Sequence, residues 1–141
     1  YNPSSACELP RRQKKKISPL DEANIADFIE ELDNNPYKNL FIAGLFTGAR
    51  QSELLGLQWD CVDFNRKQIT IDKQLVKLKG ENMPYVLAST KSNNIRVITV
   101  ANYVIEAFRS ERIRQAENKL KSYGLWDNPD NLIFTDELGK Q

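Results

Sequence analysis

The spacing of apolar residues changes twice along this chain, and that change limits the folds it can adopt. Before about residue 62 and again from residue 102, apolar side chains recur every three or four positions, as in amphipathic helices. Between these parts, "KQITID", "QLVKL", "YVLAS" and "IRVITV" contain β-branched residues in partial alternation, which indicates strands. The pattern predicts an α+β domain, mainly α, in which a small antiparallel sheet of about three strands lies between helices.

Four helices are predicted. The first begins in "SPLD", where Ser18 can cap and Pro19 suits the first helical position, and its apolar face contains Ile25, Phe28, Ile29 and Leu32. The second, in "YKNLFIAGLFTG", is apolar nearly all round and is expected to be central. A short third helix contains "QSELLGLQ". A long helix over 102–123 is expected to end before Gly124 and to have one apolar side, with Val104, Ile105, Phe108, Ile113 and Leu120.

Charge is distributed in blocks. Residues 1–20 hold five basic and one acidic residue, and residues 66–96 hold seven basic and two acidic residues, although the net charge is only +1. Such asymmetry favours an anionic partner. Residues 1–17, with prolines, serines and a basic run, have the composition of a linker, which either is a solvated tether or lies along nucleic acid. The basic residues of this linker are predicted to bind DNA: Arg11, Arg12, Lys14, Lys15 and Lys16.

Histidine is absent, which excludes a histidine base, a Ser–His or Cys–His pair and a His-ligated metal from these residues. The two cysteines, Cys7 and Cys61, form neither a metal-binding spacing nor a disulfide framework, so free thiols in a cytoplasmic protein are expected. The longest apolar stretch, "LFIAGLF", is too short to span a bilayer.

Arg50 and Glu53 stand three residues apart in "TGARQSELLGLQW", beside an apolar helix. A guanidinium can match two phosphate oxygens and stays charged at any working pH, and a carboxylate three residues later can hold it in place. The alternative is an ordinary surface ion pair that contributes roughly 0.3 kcal/mol.

Lys91 lies in "STKSNN", a polar loop between two predicted strands within the second basic block. It could enter a DNA groove or donate a proton to a leaving oxygen, or it could be an ordinary turn lysine. Four more basic residues of this block are predicted to contact DNA phosphates, or else to be solvated: Lys73, Lys77, Lys79 and Arg96.

Several segments occur in the order found in one enzyme family. "FTGARQSELLGLQWDCVDF" is similar to the box around the family's first catalytic arginine, Gly-x-Arg-x-x-Glu-Leu-x-x-Leu-x-Trp. "TKSNNIRVITV" is similar to the β-hairpin that carries the catalytic lysine, and "NLIFTDELGK" to the segment before the second active-site box. Together with the linker-like start, these segments resemble the catalytic domain of tyrosine recombinases, the lambda-type phage integrases, over almost the whole chain.

This resemblance implies site-specific DNA recombination or integration, by breaking and rejoining strands through a 3′-phosphotyrosyl intermediate without a metal or other cofactor. Arg50 would be a catalytic cation, Lys91 the general acid and Glu53 the support of Arg50. The implied partner is double-stranded DNA at an attachment site, on which the parent protein would multimerise; no membrane contact is expected.

Part of the family pattern is missing. Its His-x-x-Arg box needs a histidine, and none of the five tyrosines lies in the context of the family's nucleophile. Residues 18–141 are therefore expected to be an incomplete catalytic domain, unable to cleave DNA alone and exposing apolar surface. Two other interpretations stay open: a DNA-binding accessory module without catalysis, and a helical scaffold whose basic blocks only keep it in solution.

Overall fold

The structure is a computed structural model that describes residues 20–78, 80, 83–90 and 94–140. It confirms the predicted fold class, because helices enclose a small antiparallel β region. In the described residues the helices are α1 (Glu22–Glu31), α2 (Lys38–Thr47), α3 (Gln51–Leu55) and α4 (Asn102–Lys121), and a 3-10 turn covers Trp59–Cys61.

Helix α1 begins later than predicted. Asp21 is its N-cap and has extended backbone angles (φ −76°, ψ 146°), so the first helical residue is Glu22. Ser18 and Pro19 lie outside the described residues. The predicted apolar face does point inward. Ile25, Phe28 and Ile29 are half-buried, and Leu32, which follows the helix, is buried.

Helix α2 is less central than its composition predicted. Ile42 and Ala43 are buried, but Phe41 and Phe46 are 44% and 45% exposed. The phenyl ring of Phe46 meets the ring of Tyr103 from α4 edge-to-face at 5.6 Å, which fits the packing of α2 against α4. The helix is packed on one side only, because the side that bears Phe41 and Phe46 faces solvent.

In the part of the chain that the structure describes, five strands form two antiparallel sheets, where one sheet was predicted. The strands are β1 (Val62–Asp63), β2 (Gln68–Ile71), β3 (Lys73–Lys77), β4 (Tyr85–Ser89) and β5 (Arg96–Thr99). The larger sheet has the order β1-β2-β5, and the smaller sheet pairs β3 with β4. Within the described residues, the predicted strand in "NLIFT" forms one isolated bridge, between Gln58 and Leu132.

Among the described residues, the strands on either side of Lys91 are not hydrogen-bonded to each other, so the expected hairpin between them was wrong. Only Asp72 separates β2 from β3, and this nearly continuous stretch pairs with both later strands: Ile69 lies opposite Ile98 of β5, and Leu75 opposite Leu87 of β4. Residues 90–95 therefore connect two strands that belong to different sheets.

Helix α4 supplies much of the core, but not with all the residues predicted. Val104, Ile105 and Phe108 are buried as expected, whereas Ile113 and Leu120 are 62% and 82% exposed. Polar residues occupy the inner positions instead, Glu111 and Gln115. They can be buried because each has hydrogen-bond partners. The main core cluster joins α4 to residues from α2, α3, the strands and the segment after α4, including Ala43, Leu54, Leu57, Ile69, Ile71 and Ile133.

None of the described helices has the length and apolar content needed to cross a membrane.

Candidate active site

A tight turn between α2 and α3 places Arg50. Gly48 ends α2 in the left-handed conformation (φ 61°), which glycine adopts without strain. The Thr47 hydroxyl donates to the carbonyl of Ala43 at 2.6 Å and accepts from the backbone N–H of Ala49 at 3.2 Å. These bonds fix the backbone immediately before Arg50, which is the N-cap of α3.

Glu53 reaches back from the first turn of α3 to its N-cap residue. Its Oε2 accepts from the backbone N–H of Arg50 at 2.8 Å, and its Oε1 accepts from Nη1 of Arg50 at 2.9 Å. The Glu53 side chain is 1% exposed, whereas that of Arg50 is 70% exposed. The pair therefore differs from an ordinary surface ion pair, because a buried carboxylate anchors a guanidinium that faces solvent.

Arg96, at the start of β5, is a second partner of the same carboxylate. Its Nη1 donates to Oε1 of Glu53 at 3.1 Å and its Nη2 donates to Oε2 at 2.6 Å, a two-pronged contact between residues 43 positions apart. The Arg96 side chain is 37% exposed. Arg50, Glu53 and Arg96 thus form one cluster, which we call the Glu53 cluster.

The electrostatics of the Glu53 cluster keep its carboxylate ionised. The pKa of Glu53 is lowered from 4.5 to about 2, first by the hydrogen bonds from Arg96 and then by those from the backbone and side chain of Arg50, against the opposing effect of burial. The pKa of Arg96 is raised, chiefly by its hydrogen bonds to Glu53. Near neutral pH, two cations and one anion give the cluster a net charge of +1.

Sequence reasoning placed Arg50 and Glu53 together correctly but missed the contact with Arg96. In "NIRVITV", apolar residues occupy both alternating sets of positions, so the pattern does not show which side of β5 faces inward. In the structure Arg96 and Ile98 are half-buried, while Val97 and Thr99 are exposed. The one available signal was a glutamate among leucines in "SELLGL", since a buried carboxylate needs cationic partners.

The other predicted site residues either have different contacts or cannot be placed. The Lys73 ammonium donates to Oε1 of Gln58 at 2.6 Å, and the Lys77 ammonium lies over the Tyr85 ring, 5.8 Å from its centroid. The remaining members lie outside the described residues: Arg11, Arg12, Lys14, Lys15, Lys16, Lys79 and Lys91.

The geometry gives Arg50 the capacity to bind an oxyanion. A guanidinium has five N–H donors in a planar fork, and in the described part of the chain only one of them is bonded, to Glu53. The Arg50 side chain is 70% exposed, so the donors that no described residue accepts can meet two oxygens of a phosphate at once. Within the same described residues, no group of three or more His, Cys, Asp or Glu side chains could hold a metal ion.

Comparison with known proteins identifies the family. The sequence model of the phage integrase family matches residues 18–141. The chain belongs to the phage integrase family of tyrosine recombinases. A XerC-like tyrosine recombinase of Caldanaerobacter subterraneus subsp. tengcongensis is 32% identical to this integrase-family chain over 88% of the chain and 34% of the relative. The ICEBs1 integrase of Bacillus subtilis is 26% identical over 89% of the chain and 33% of that protein.

The chain spans about a third of the length of these curated relatives. Among solved structures, the Tn1549 transposon integrase in complex with transposon right end DNA matches with a TM-score of 0.73 and 22% identity, over 94% of this chain and 42% of that one. The XerA recombinase matches with a TM-score of 0.55 and 18% identity, over 92% and 38% of the two chains. These likenesses show that the phage integrase chain has the fold of tyrosine recombinases.

Proposed function

We propose that this chain contributes to a site-specific recombinase that breaks and rejoins double-stranded DNA through a 3′-phosphotyrosyl intermediate. Family membership supports this reaction, and a structural neighbour solved in complex with transposon right end DNA supports DNA as the partner. The observation that carries the proposal is the exposed guanidinium of Arg50, held by the buried Glu53 in the family's arginine box.

Arg50 would bind the non-bridging oxygens of the scissile phosphate. When a tyrosine oxygen attacks phosphorus, negative charge grows on those oxygens, and a cation fixed beforehand stabilises it without reorganising. Removing one such donor typically costs about 2.7–4 kcal/mol of the barrier. The burial of Glu53 helps to fix the position of Arg50, because the carboxylate that anchors the guanidinium is held by the packed interior and does not depend on flexible surface contacts.

Lys91 would act as general acid. The bond from phosphorus to the 5′ oxygen breaks as the tyrosine bond forms, and the lysine ammonium would give its proton to the departing oxygen. Rejoining reverses both steps, so the phosphotyrosyl link keeps the bond energy and no external energy source is needed. The five tyrosines of these 141 residues lack the family context, so we assign none as nucleophile and expect this chain alone to be inactive.

Other lysines would position the DNA. Lys77 is exposed at the end of β3 and carries a charge that no described carboxylate neutralises through an ion pair, which suits a phosphate contact. We extend this role to Lys73, Lys79 and the basic residues of 1–17. A reaction on cellular DNA would place the protein in the cytoplasm, and assembly of several copies on one site would follow the family pattern.

A covalent-trapping experiment tests the proposal. The complete gene product that contains these residues is incubated with a nicked suicide DNA carrying its attachment site, and a covalent protein–DNA adduct is sought on a denaturing gel. We expect an adduct from the wild type and a 100-fold or greater slowing with Arg50→Ala. Arg66→Ala is the matched control, because the Arg66 side chain is 79% exposed. Its Nε lies 3.9 Å from Oδ2 of Asp63, which makes a long and weak ion pair.

Adduct formation and DNA binding by the wild-type protein distinguish the recombinase from the two alternative functions. If it forms no adduct but binds DNA with an affinity that falls steeply with salt, the proposed catalysis is refuted and a DNA-binding accessory module replaces it. Failure to bind DNA at any salt concentration would support the helical scaffold. An adduct that forms equally well with Arg50→Ala would remove Arg50 from the reaction.

A further inference from the structure

The two oxygens of the Glu53 carboxylate are each shared between Arg50 and Arg96. Oε1 accepts from Nη1 of Arg50 at 2.9 Å and from Nη1 of Arg96 at 3.1 Å. Oε2 accepts from the backbone N–H of Arg50 at 2.8 Å and from Nη2 of Arg96 at 2.6 Å. Each oxygen therefore has two described donors, and the carboxylate cannot rotate without breaking bonds to both arginines.

Arg96 reaches this carboxylate from a strand that belongs to the larger sheet. It is the first residue of β5 and lies opposite Ile71 of β2, whose side chain is 2% exposed. Glu53 lies on α3, which contacts β3 of the smaller sheet. The contact between Arg96 and Glu53 therefore connects α3 to a sheet other than the one on which it rests.

Arg50 depends on Glu53 for the position of its guanidinium. The Arg50 side chain is 70% exposed, and among the described residues its guanidinium has one hydrogen bond, to Oε1 of Glu53. An exposed arginine side chain has many rotamers, so the place of its guanidinium is set by the place of its acceptor. That acceptor is the oxygen that Arg96 also holds, at 3.1 Å.

Arg96 also determines how much of the charge of Arg50 is available to a phosphate. The single negative charge of Glu53 is shared by two guanidinium groups, so the Glu53 cluster keeps one net positive charge. Without Arg96, the carboxylate 2.9 Å from Nη1 of Arg50 would offset the whole charge of Arg50. A buried carboxylate with a single cationic partner would also draw that partner inward, away from an incoming phosphate.

We propose that Arg96 is a positioning residue for Arg50 and acts through Glu53. It fixes the carboxylate that anchors the Arg50 guanidinium and neutralises its charge, so that the charge of Arg50 stays available to the scissile phosphate. This inference rests on the proposed function, since it assigns to Arg96 the alignment of the phosphate-binding cation. It also replaces the sequence-based expectation that Arg96 itself contacts a DNA phosphate.

Two observations favour this role over a direct phosphate contact. Both outer nitrogens of Arg96 bond to Glu53, whereas Arg50 uses only one of its own in the described part of the chain. The Arg96 side chain is also about half as exposed as that of Arg50, 37% against 70%.

An uncharged substrate tests whether Arg96 serves the phosphate cation. In a methylphosphonate, a methyl group replaces one non-bridging oxygen, so less negative charge develops during attack and the need for a cation falls. The rate of covalent adduct formation by the complete gene product is measured on nicked suicide DNA with an ordinary or a methylphosphonate linkage at the cleavage position. The wild type is compared with Arg50→Ala, Arg96→Met and Arg96→Lys.

We expect Arg96→Met to slow the reaction on ordinary DNA at least about 10-fold and to lose much less on the methylphosphonate, as Arg50→Ala should. Arg96→Lys, which keeps the charge but not the planar fork, should lie between the wild type and Arg96→Met on ordinary DNA. Gln115→Leu is the control for a loosened fold, because Gln115 is buried in α4 and bonds to the carbonyls of Leu132 and Ile133, outside the Glu53 cluster. It should affect both substrates equally.

A double-mutant cycle separates action through Glu53 from a direct phosphate contact. In Glu53→Gln the anion that Arg96 holds is gone, so adding Arg96→Met should slow the reaction on ordinary DNA by less than about 3-fold. If Arg96 bound the phosphate itself, the losses from the two changes would multiply. A further loss as large as the one that Arg96→Met causes in the wild-type background would therefore overturn the inference.

Two results on the substrates would overturn it as well. Arg96→Met could form adduct on ordinary DNA at the wild-type rate, or it could lose equally on both substrates, as Gln115→Leu should. Folding of each variant is checked by thermal unfolding. If Glu53→Gln does not fold, the double variant is compared with Arg96→Met: an equal or higher rate supports the inference and a lower rate overturns it. If Arg96→Met does not fold, Arg96→Lys takes its place, and a wild-type rate on ordinary DNA refutes the role.

These outcomes are distinct from failure of the proposed function. If the wild type forms no adduct with either substrate, the recombinase assignment fails and the inference fails with it. If the wild type forms adducts, Arg50→Ala slows them on ordinary DNA and Arg96→Met behaves like the wild type, only the inference fails.

Discussion

The indole nitrogen of Trp59 donates to Oε1 of Gln115 at 2.9 Å, and through this bond the short 3-10 turn is joined to α4. The same glutamine donates through Nε2 to the carbonyls of Leu132 and Ile133, at 2.9 Å and 2.7 Å. Gln115 is 8% exposed, so these partners cannot readily be replaced by water. One side-chain amide therefore connects three parts of the chain that are remote in sequence.

Replacing Gln115 by leucine should destabilise the domain by about 2–4 kcal/mol. The substitution keeps the side-chain volume but leaves the indole N–H and the Ile133 carbonyl without this partner, whereas the Leu132 carbonyl still accepts from Asn128. Each unsatisfied group costs about 1–3 kcal/mol. Urea unfolding followed by far-UV circular dichroism measures the change. Glu117→Leu is the control, because Glu117 is 59% exposed on the same helix and should change stability by less than about 0.5 kcal/mol. Equal effects of the two variants would contradict the role given to Gln115.

Replacing Glu53 by glutamine should cost about 2–4 kcal/mol of unfolding free energy. A neutral amide removes the charge that compensates two guanidinium groups, and breaking a buried charge pair typically costs about 3–5 kcal/mol. Thermal and urea unfolding provide the measurement. Glu106→Gln offers a matched comparison, since Glu106 is 63% exposed and pairs with the exposed Arg109 at 2.8 Å, a pair expected to contribute about 0–1 kcal/mol. A loss no larger than that of Glu106→Gln would show that the Glu53 cluster is not a stabilising unit.

The contribution of Glu53 should also depend on pH in a defined window. Because its pKa falls from 4.5 to about 2 on folding, the folded state holds this carboxylate ionised where the unfolded chain would protonate it. The stabilisation is fully present above about pH 4.5 and is lost as the pH falls toward 2. The difference in unfolding free energy between wild type and Glu53→Gln, measured in urea at several pH values, should therefore shrink between pH 5 and pH 2.5. A difference that stays constant over this range would contradict the lowered pKa.

Gly56 should not tolerate a methyl group. A Cβ at this position would lie 2.7 Å from the backbone nitrogen of Leu75 and 2.9 Å from the carbonyl carbon of Gln74, closer than real Cβ contacts. Gly56→Ala must push α3 away from β3, so a loss of about 1–3 kcal/mol is expected, together with weaker anchoring of Glu53. Gly44→Ala is the control: its Cβ would meet only the end of the Leu54 side chain at 3.3 Å, and alanine favours a helix. If both variants unfold alike, the close approach at Gly56 is not a constraint.

The local sequence patterns predicted which segments form helices and strands better than they predicted which side chains are buried. Helical spacing located α2, α3 and α4, and the separation of three residues brought Arg50 and Glu53 together. The exposure of Ile113 and Leu120 was not predictable in this way, because Glu111 and Gln115 take inner positions only through partners such as Asn39 and the carbonyl of Ile133. Those partners lie 72 and 18 positions away along the chain.

The same limit applies to the candidate site. The contact between Arg96 and Glu53 spans 43 positions and depends on which side of β5 faces inward, which an alternating pattern of Ile, Val and Thr leaves open. The unexpected division into two sheets has a similar origin. Strand residues were recognised by type, but the pairing partner of each strand is set by tertiary contacts such as Ile69 with Ile98.

The division of the strand region into two sheets has an evolutionary consequence. The registers of β3 with β4 and of β2 with β5 are each set by their own opposed residue pairs, so neither depends on the number of residues in segment 90–95. Insertions or deletions there leave the inward and outward faces of every strand unchanged, whereas one residue added inside β4 would exchange its two faces. Related proteins can therefore differ in the number of residues around Lys91 while the arginine-bearing framework of the strands is inherited intact.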